Sequence, residues 1–165
     1  VDGSGDPVLL PDQDRGRWDY LAIGRGFDAL ARAERLGGAL GPYAIQAAIA
    51  ACHARARSAA ETDWQTIAGH YDTLSQLLPS PIVELNRAVA VGMAFGPAAG
   101  LEHVDRLTDE RALANYHLLP SVRADLLQRL GRGSEAADEF ERAAALCGNE
   151  RNRRLLLSRA TACRF

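Results

Sequence analysis

Apolar residues recur every three or four positions along most of this chain, which is the periodicity of amphipathic helices. The pattern predicts a first helix over about residues 15–36, with Ile23 and Phe27 on its apolar face. Gly24 and Gly26 fall inside that helix, where each costs about 1 kcal/mol relative to alanine. Such glycines are tolerated where a neighbour must approach closely, so we expect this helix to pack against another.

Proline and glycine breaks divide the rest of the chain into further helices. Thr62 and Gln65 form a capping-box pattern before one of them, and Ser134 is the expected N-cap of another. No β-alternation extends beyond a short extended lead at the N-terminus, so the predicted fold class is all-α. The later helices are expected over about residues 43–57, 64–78, 82–94, 97–107, 119–130 and 135–146, followed by a last helix that carries the C-terminal arginines.

Two segments in the second half repeat one scheme of small and large apolar residues. Residues 124–146 resemble the tetratricopeptide pattern, in which small residues let paired helices cross closely and an aromatic side chain fills the space between them. Residues 86–107 repeat it more loosely, and Ala88 precedes Ala124 by 36 positions. The prediction is a stack of about three helical hairpins. Its key positions are Ala124, Leu127, Ala136, Phe140 and Ala143 in one unit and Ala88, Val91, Gly100, Val104 and Leu107 in the other.

The length of 165 residues fits one domain. Within it we expect a lead over 1–14, N-terminal helices over 15–78, and tetratricopeptide-like repeats with a capping helix over 79–165. The chain starts at Val1, without methionine, in a stretch rich in glycine and aspartate. We therefore expect it to be part of a longer protein.

Composition excludes several function classes. The net charge of −2 gives no overall attraction to nucleic acid. No apolar run is long enough to span a membrane and no signal segment is present, so a cytoplasmic location is expected. The three cysteines (Cys52, Cys147 and Cys163) lie apart in apolar helical runs, a pattern typical of buried reduced thiols.

The sequence offers no convergent reactive groups. Nucleophile-elbow, phosphate-loop and zinc-protease motifs are absent. The run "DGSGD" begins like a calcium loop, but Pro7 and Gln13 stand where such a loop needs glycine and glutamate. We expect no catalytic residues, no metal site and no cofactor, and thus a protein that is not an enzyme.

A polar run, "LLPDQDRGRWDY" (residues 9–20), leads into the first helix. Asp12 can cap the helix, Asp14 adds negative charge to its first turn, and Trp18 can anchor the segment in the core. The remaining polar residues exceed what a cap needs, which leaves either a fixed network or a docking surface. The candidate interaction residues are Asp12, Gln13, Asp14, Arg15, Trp18 and Asp19.

Together with that run, several later segments resemble one family. They are "GPYAIQAAIAACHA", "TDWQTIAGHYDTL", "PSPIVELNRAVAV", "YHLLPSVRADLLQRLGR" and "GNERNRRLLLSR". In this order they are similar to the C-terminal extension of bacterial extracytoplasmic-function sigma factors with helical, tetratricopeptide-like tails. The resemblance covers essentially the whole chain, and its sharpest element is Asp12-Gln13-Asp14-Arg15 followed by Trp18 and Asp19.

The resemblance implies a built-in regulator of transcription initiation that contacts the sigma domains of the same polypeptide or RNA polymerase. Genes of the family tend to lie beside those of small YCII/DGPF-type proteins, which makes such a protein a candidate partner. DNA would be contacted only through sigma domains that this chain does not contain.

Two other functions remain open. One is a generic repeat scaffold that binds a peptide or small protein in its groove. The other is a small-molecule sensor or enzyme with a pocket lined by Trp64, His70 and Tyr71.

Overall fold

The fold is an all-α stack of helices, as predicted. A computed structural model describes residue 8 and residues 12–37 and 41–164, and this part of the chain contains eight α-helices and no β-strand. Short 3-10 turns lie at Arg15–Arg17, Ala59–Glu61 and Arg111–Leu113. The α-helices are α1 (Tyr20–Arg35), α2 (Pro42–Arg55), α3 (Trp64–Leu77), α4 (Pro81–Phe95), α5 (Pro97–Asp105), α6 (Leu118–Arg129), α7 (Gly133–Leu146) and α8 (Glu150–Ala162).

Each helix packs mainly on its neighbours in sequence. The contacts run from α1 to α2 and onward to α8 in chain order, and α4 also touches α6. The buried side chains fall into three clusters, around α2–α4, around α4–α7 and around α6–α8. Such nearest-neighbour packing is the architecture of a helical repeat protein. The predicted repeat stack is therefore confirmed.

The residues predicted to pack the last hairpin do so. Ala124, Leu127, Ala136, Phe140 and Ala143 are fully buried between α6, α7 and their neighbours. Alanines at the crossing bring the two helices together, and the Phe140 ring fills the space beside them.

The α4–α5 hairpin closes on two glycines. A Cβ atom added to Gly100 would lie 2.7 Å from the Cα atom of Gly92 and 2.9 Å from the Ala88 carbonyl oxygen. Both neighbours are backbone atoms, so neither can move aside cheaply. The small residues of the looser repeat are thus required by the close approach of α4 and α5.

The first helix begins later than the sequence predicted. Asp14 caps the 3-10 turn Arg15–Arg17, Trp18 is extended, and Asp19 then caps α1, which starts at Tyr20. Asp12 is exposed and does not cap α1, contrary to expectation. Two Asp caps five residues apart explain the difference, because each opens its own helical segment.

α1 packs on α2, as expected, but the expected close approach at Gly24 and Gly26 was wrong. No atom lies within 4 Å of a Cβ built on either glycine, and α1 contains no fully buried residue. The prediction failed because a glycine can also lie on an open helix face, where it only lowers helix stability.

Other expectations on caps and cysteines met mixed outcomes. Asp63, and not Thr62, caps α3 by accepting from the Thr66 backbone N–H, and α7 starts at Gly133, before the predicted cap Ser134. Cys52 and Cys147 are buried as expected, and Cys163 is half-buried. The expected extended lead over 1–14 lies largely outside the described residues. Among the helices that are described, none has the length and apolarity needed to cross a bilayer.

Candidate interaction groove and the N-terminal polar run

A groove of about 460 Å³ opens on one side of the stack. Its walls come chiefly from α4 and α6, and α8 adds Arg159. Trp64 of α3 and the 3-10 turn at Ala59–Glu61 close another part. The lining is largely apolar. The lining residues are Arg15, Ala59, Ala60, Trp64, Val89, Met93, Ser121, Val122, Asp125, Leu126, Arg129 and Arg159.

Two charged residues of the groove hold each other in place. The Arg159 Nη2 atom donates to Asp125 Oδ1 at 2.6 Å and to Gln128 Oε1 at 2.7 Å. The same guanidinium lies over the Phe140 ring, 4.3 Å from its centroid. Because these contacts join α8 to α6 and α7, Arg159 is a fixed part of the groove wall.

Arg129 is held much more loosely. It is the last residue of α6 and is exposed, and its Nη1 atom donates to the Met93 sulfur across the groove at 3.2 Å. A thioether sulfur is a weak acceptor. Within the described part of the chain, no carboxylate pairs with this guanidinium.

Arg15 is the buried cation of the groove, with only 5% of its surface exposed. Its Nη1 atom donates to the carbonyl oxygens of His53 at 2.8 Å and Ala56 at 2.9 Å, and its Nη2 atom donates to Thr62 Oγ1 at 3.2 Å. These carbonyls lie at the C-terminal end of α2, where the helix dipole favours a positive charge. The buried Nε atom has no hydrogen-bond partner among the described residues. Arg15 thus joins the segment before α1 to the α2–α3 junction.

Four other candidate residues of the polar run also make contacts within the chain. Gln13 Nε2 donates to the Val8 carbonyl oxygen at 3.3 Å, and Asp14 Oδ1 accepts from the Gly16 N–H at 2.9 Å. Asp19 Oδ1 accepts from the Ala22 N–H at 2.9 Å. The Trp18 ring, which is only half-buried, lies 5.0 Å from the Arg15 guanidinium carbon. Of the six candidate residues, only Arg15 lines the groove.

Trp64, His70 and Tyr71, the residues suggested for a small-molecule pocket, do not line this groove together. Trp64 lines the groove, but Tyr71 packs against the α2–α4 core, and neither it nor His70 is part of the lining. Burial raises the pKa of the Tyr71 hydroxyl. The face of α3 that holds Tyr71 therefore serves packing.

His53 lies behind the groove, beside Trp64 and Arg15 of its lining. Its ring meets Trp64 edge-on at 5.1 Å, and its buried Nδ1 atom has no hydrogen-bond partner among the described residues. Burial, and then the positive charge of Arg15, lowers the pKa of His53. The imidazole is therefore neutral at pH 7 and cannot contribute a positive charge to the site.

The sequence did not identify most of the groove residues. A usable signal was nevertheless present, because Ser121, Asp125 and Arg129 recur at intervals of four along α6. Residues four apart share one helix face, and Val89 and Met93 on α4 show the same spacing. In the described ranges, no group of three histidine, cysteine or acidic side chains could hold a metal ion.

Comparison with known proteins finds a relative in Rhizobium meliloti (strain 1021). This uncharacterized protein is 45% identical over 148 residues, which is 90% of this chain and 34% of the relative. The chain thus spans about a third of the relative's length. No protein-family model matches the chain. No solved structure matches it either. The chain is therefore similar to one segment of a longer protein.

Proposed function

We propose that this chain is the regulatory, protein-binding extension of a bacterial extracytoplasmic-function sigma factor. In this proposal, a segment of the sigma domains or of RNA polymerase docks in the groove between α4, α6 and α8. The observation that carries the proposal is the largely apolar groove on one face of a helical repeat stack. Repeat stacks commonly use such a face to bind partners.

The chemistry of the groove suits binding better than catalysis. Its ionisable lining consists of Arg15, Arg129, Arg159 and Asp125. Arginine stays protonated in proteins and so cannot act as a base, and Asp125 is already engaged by Arg159. The proposed role is therefore recognition of another protein surface.

The link to sigma factors rests on the sequence resemblance, and the length of the relative supports it. A regulatory extension is one segment of a longer polypeptide, and this chain matches about a third of its relative. If the coding sequence upstream of Val1 encodes no sigma domains, the proposal is wrong, and a generic repeat scaffold that binds a peptide or small protein becomes the favoured function.

A matched pair of substitutions on α4 tests the proposal. Met93 lines the groove and Ile82 does not, yet both are exposed apolar residues of the same helix. In the full-length sigma factor, we expect Met93→Asp to weaken association of the extension with the sigma domains or polymerase by about tenfold and to change promoter-directed transcription. This loss is typical of a central interface residue. Ile82→Asp should leave both measurements unchanged.

Circular dichroism provides the control for folding, because both variants should keep the helix content of the parent protein. Equal behaviour of the two variants in association and transcription would contradict docking in the groove. If the extension contacts neither the sigma domains nor the polymerase, the proposed function is wrong.

A further inference from the structure

The groove carries an excess of positive charge. Three arginines and one aspartate line it, and the ion pair between Arg159 and Asp125 neutralises one arginine. Arg15 and Arg129 have no carboxylate partner in the part of the chain that the structure describes. The protein as a whole has a net charge of −2, so this local excess is opposite in sign to the rest of the molecule.

The two arginines differ in their freedom to bind a partner. Arg15 is buried and fixed by three hydrogen bonds, so it contributes a permanent positive potential that salt screens only weakly. Arg129 is exposed and held only by the Met93 sulfur, a contact that a carboxylate can replace at little cost. Arg129 is thus the side chain available to pair with an incoming acid.

Apolar residues determine the shape of that partner. Val89 and Met93 on α4 and Val122 and Leu126 on α6 line the groove, and each pair is spaced one helical turn apart. Amphipathic helices insert anchors with the same spacing into apolar grooves. The volume of about 460 Å³ is enough for such anchors, while the rest of the helix stays outside.

We propose that the groove recognises an amphipathic protein helix with an apolar stripe and a glutamate or aspartate at the end that meets Arg129. This inference rests on the proposed docking function and specifies the chemistry of the partner. The apolar anchors bind between α4 and α6, and the carboxylate replaces the Met93 sulfur as the acceptor of Arg129. A nucleic acid fits poorly, since evenly spaced phosphates would meet a single guanidinium that is both exposed and without a carboxylate partner, among apolar walls.

Designed peptides test this recognition without knowledge of the natural partner. The probe is a helical peptide of about 16 residues with leucines at i, i+3, i+4 and i+7 and glutamate at one end of the stripe. A second peptide has lysine in place of glutamate. In calorimetric titrations of the 165-residue chain, we expect the glutamate peptide to bind at least about tenfold more tightly, with a preference that shrinks as salt rises.

Two arginine variants locate the recognition. Arg129→Glu should reverse the preference, so that the lysine peptide binds more tightly. Arg111→Glu makes the same charge change at an exposed residue outside the groove and should leave the preference intact.

Equal affinity for the two peptides, or a preference that survives Arg129→Glu, would overturn the inference. A third titration uses octanoate, a small acid with an apolar tail. If octanoate binds in the groove and the glutamate peptide does not, the site takes a small amphiphilic acid and the inference is wrong. The proposed function has a separate readout. Association of the extension with the sigma domains or polymerase can still depend on Met93 even if the two peptides bind equally. Conversely, discrimination of the peptides without any contact to sigma domains would reject only the proposed function.

Discussion

Two regions of the stack, α4–α7 and the N-terminal end, are stabilised by different interactions. In the α4–α7 region, fully buried alanines, Phe140 and the Gly92–Gly100 approach lock the helices by close packing. At the N-terminal end, α1 buries no residue fully, and the segment before it is attached through the hydrogen bonds of Arg15. The α4–α7 region is therefore stabilised by close packing, and the attachment of the segment before α1 depends on a few polar contacts.

This difference predicts uneven stability along the chain. Regions with few buried apolar contacts open at a lower free energy than the core. We expect α1 and the polar run before it to open locally while α4–α7 stay folded. The groove would then lose its Arg15 wall before it loses the walls made by α4 and α6.

The largest effect is expected from removing the Arg15 guanidinium. Arg15→Met keeps an apolar stem but leaves the His53, Ala56 and Thr62 oxygens without their donor, at a cost of about 2–4 kcal/mol. Hydrogen exchange should show faster opening of α1 and of the C-terminal end of α2, with little change in α7. Arg15→Lys should recover only part of the loss, because an ammonium lacks the planar fork.

Arg17→Met is the matched control, since Arg17 lies on the same 3-10 turn but is exposed. It should leave exchange within about 0.5 kcal/mol of the parent. If both variants behave alike, or if Arg15→Met destabilises α7 as much as α1, the polar attachment of the N-terminal end is contradicted.

Smaller effects of opposite sign on stability are expected from adding one methyl group in each region, at Gly100 of α5 and at Gly24 of α1. Gly100→Ala places a Cβ atom against the Gly92 and Ala88 backbones, and the overpacking should exceed the gain in helix propensity. We expect a net loss of about 1–2 kcal/mol in the free energy of unfolding by urea. Gly24→Ala meets no atom and should gain about 0.5–1 kcal/mol in local stability of α1.

The signs of these two stability changes test whether α4–α7 is closely packed and α1 is not. A stabilising Gly100→Ala would show that the α4–α5 approach can relax and is not a rigid constraint. A destabilising Gly24→Ala would show that α1 packs more closely than its open face indicates.

The sequence predicted the packed end well because its signals are local. The small residues and Phe140 of the last hairpin fall within 20 residues of one another, and their spacing alone identifies the buried face. Several helix bounds also followed from nearby prolines and glycines. The exceptions are the predicted N-caps Asp12, Thr62 and Ser134. In each case the helical segment begins after a different residue nearby.

The polar end could not be predicted in the same way. Arg15 reaches partners 38, 41 and 47 residues further along the chain, and two of them are backbone carbonyls that leave no mark on the sequence. The sequence left open whether Arg15 belongs to a fixed network or to a docking surface, and the structure places its guanidinium in buried contacts at a helix end. The groove was equally hidden, because its walls combine short patterns from helices far apart in the chain.

The smallest expected effect is a pH dependence confined to the N-terminal end. Burial and Arg15 lower the pKa of His53 below its usual 6.5, so the unfolded chain binds the proton more readily than the folded one. This contribution to stability is present above pH 6.5 and is lost as the pH falls toward the folded pKa. Between pH 7.5 and 5.5, hydrogen exchange in α2 should therefore show a small loss of local stability. His53→Gln should abolish this loss, whereas a loss of equal size in α7, or one that persists in His53→Gln, would show that pH acts on both ends alike.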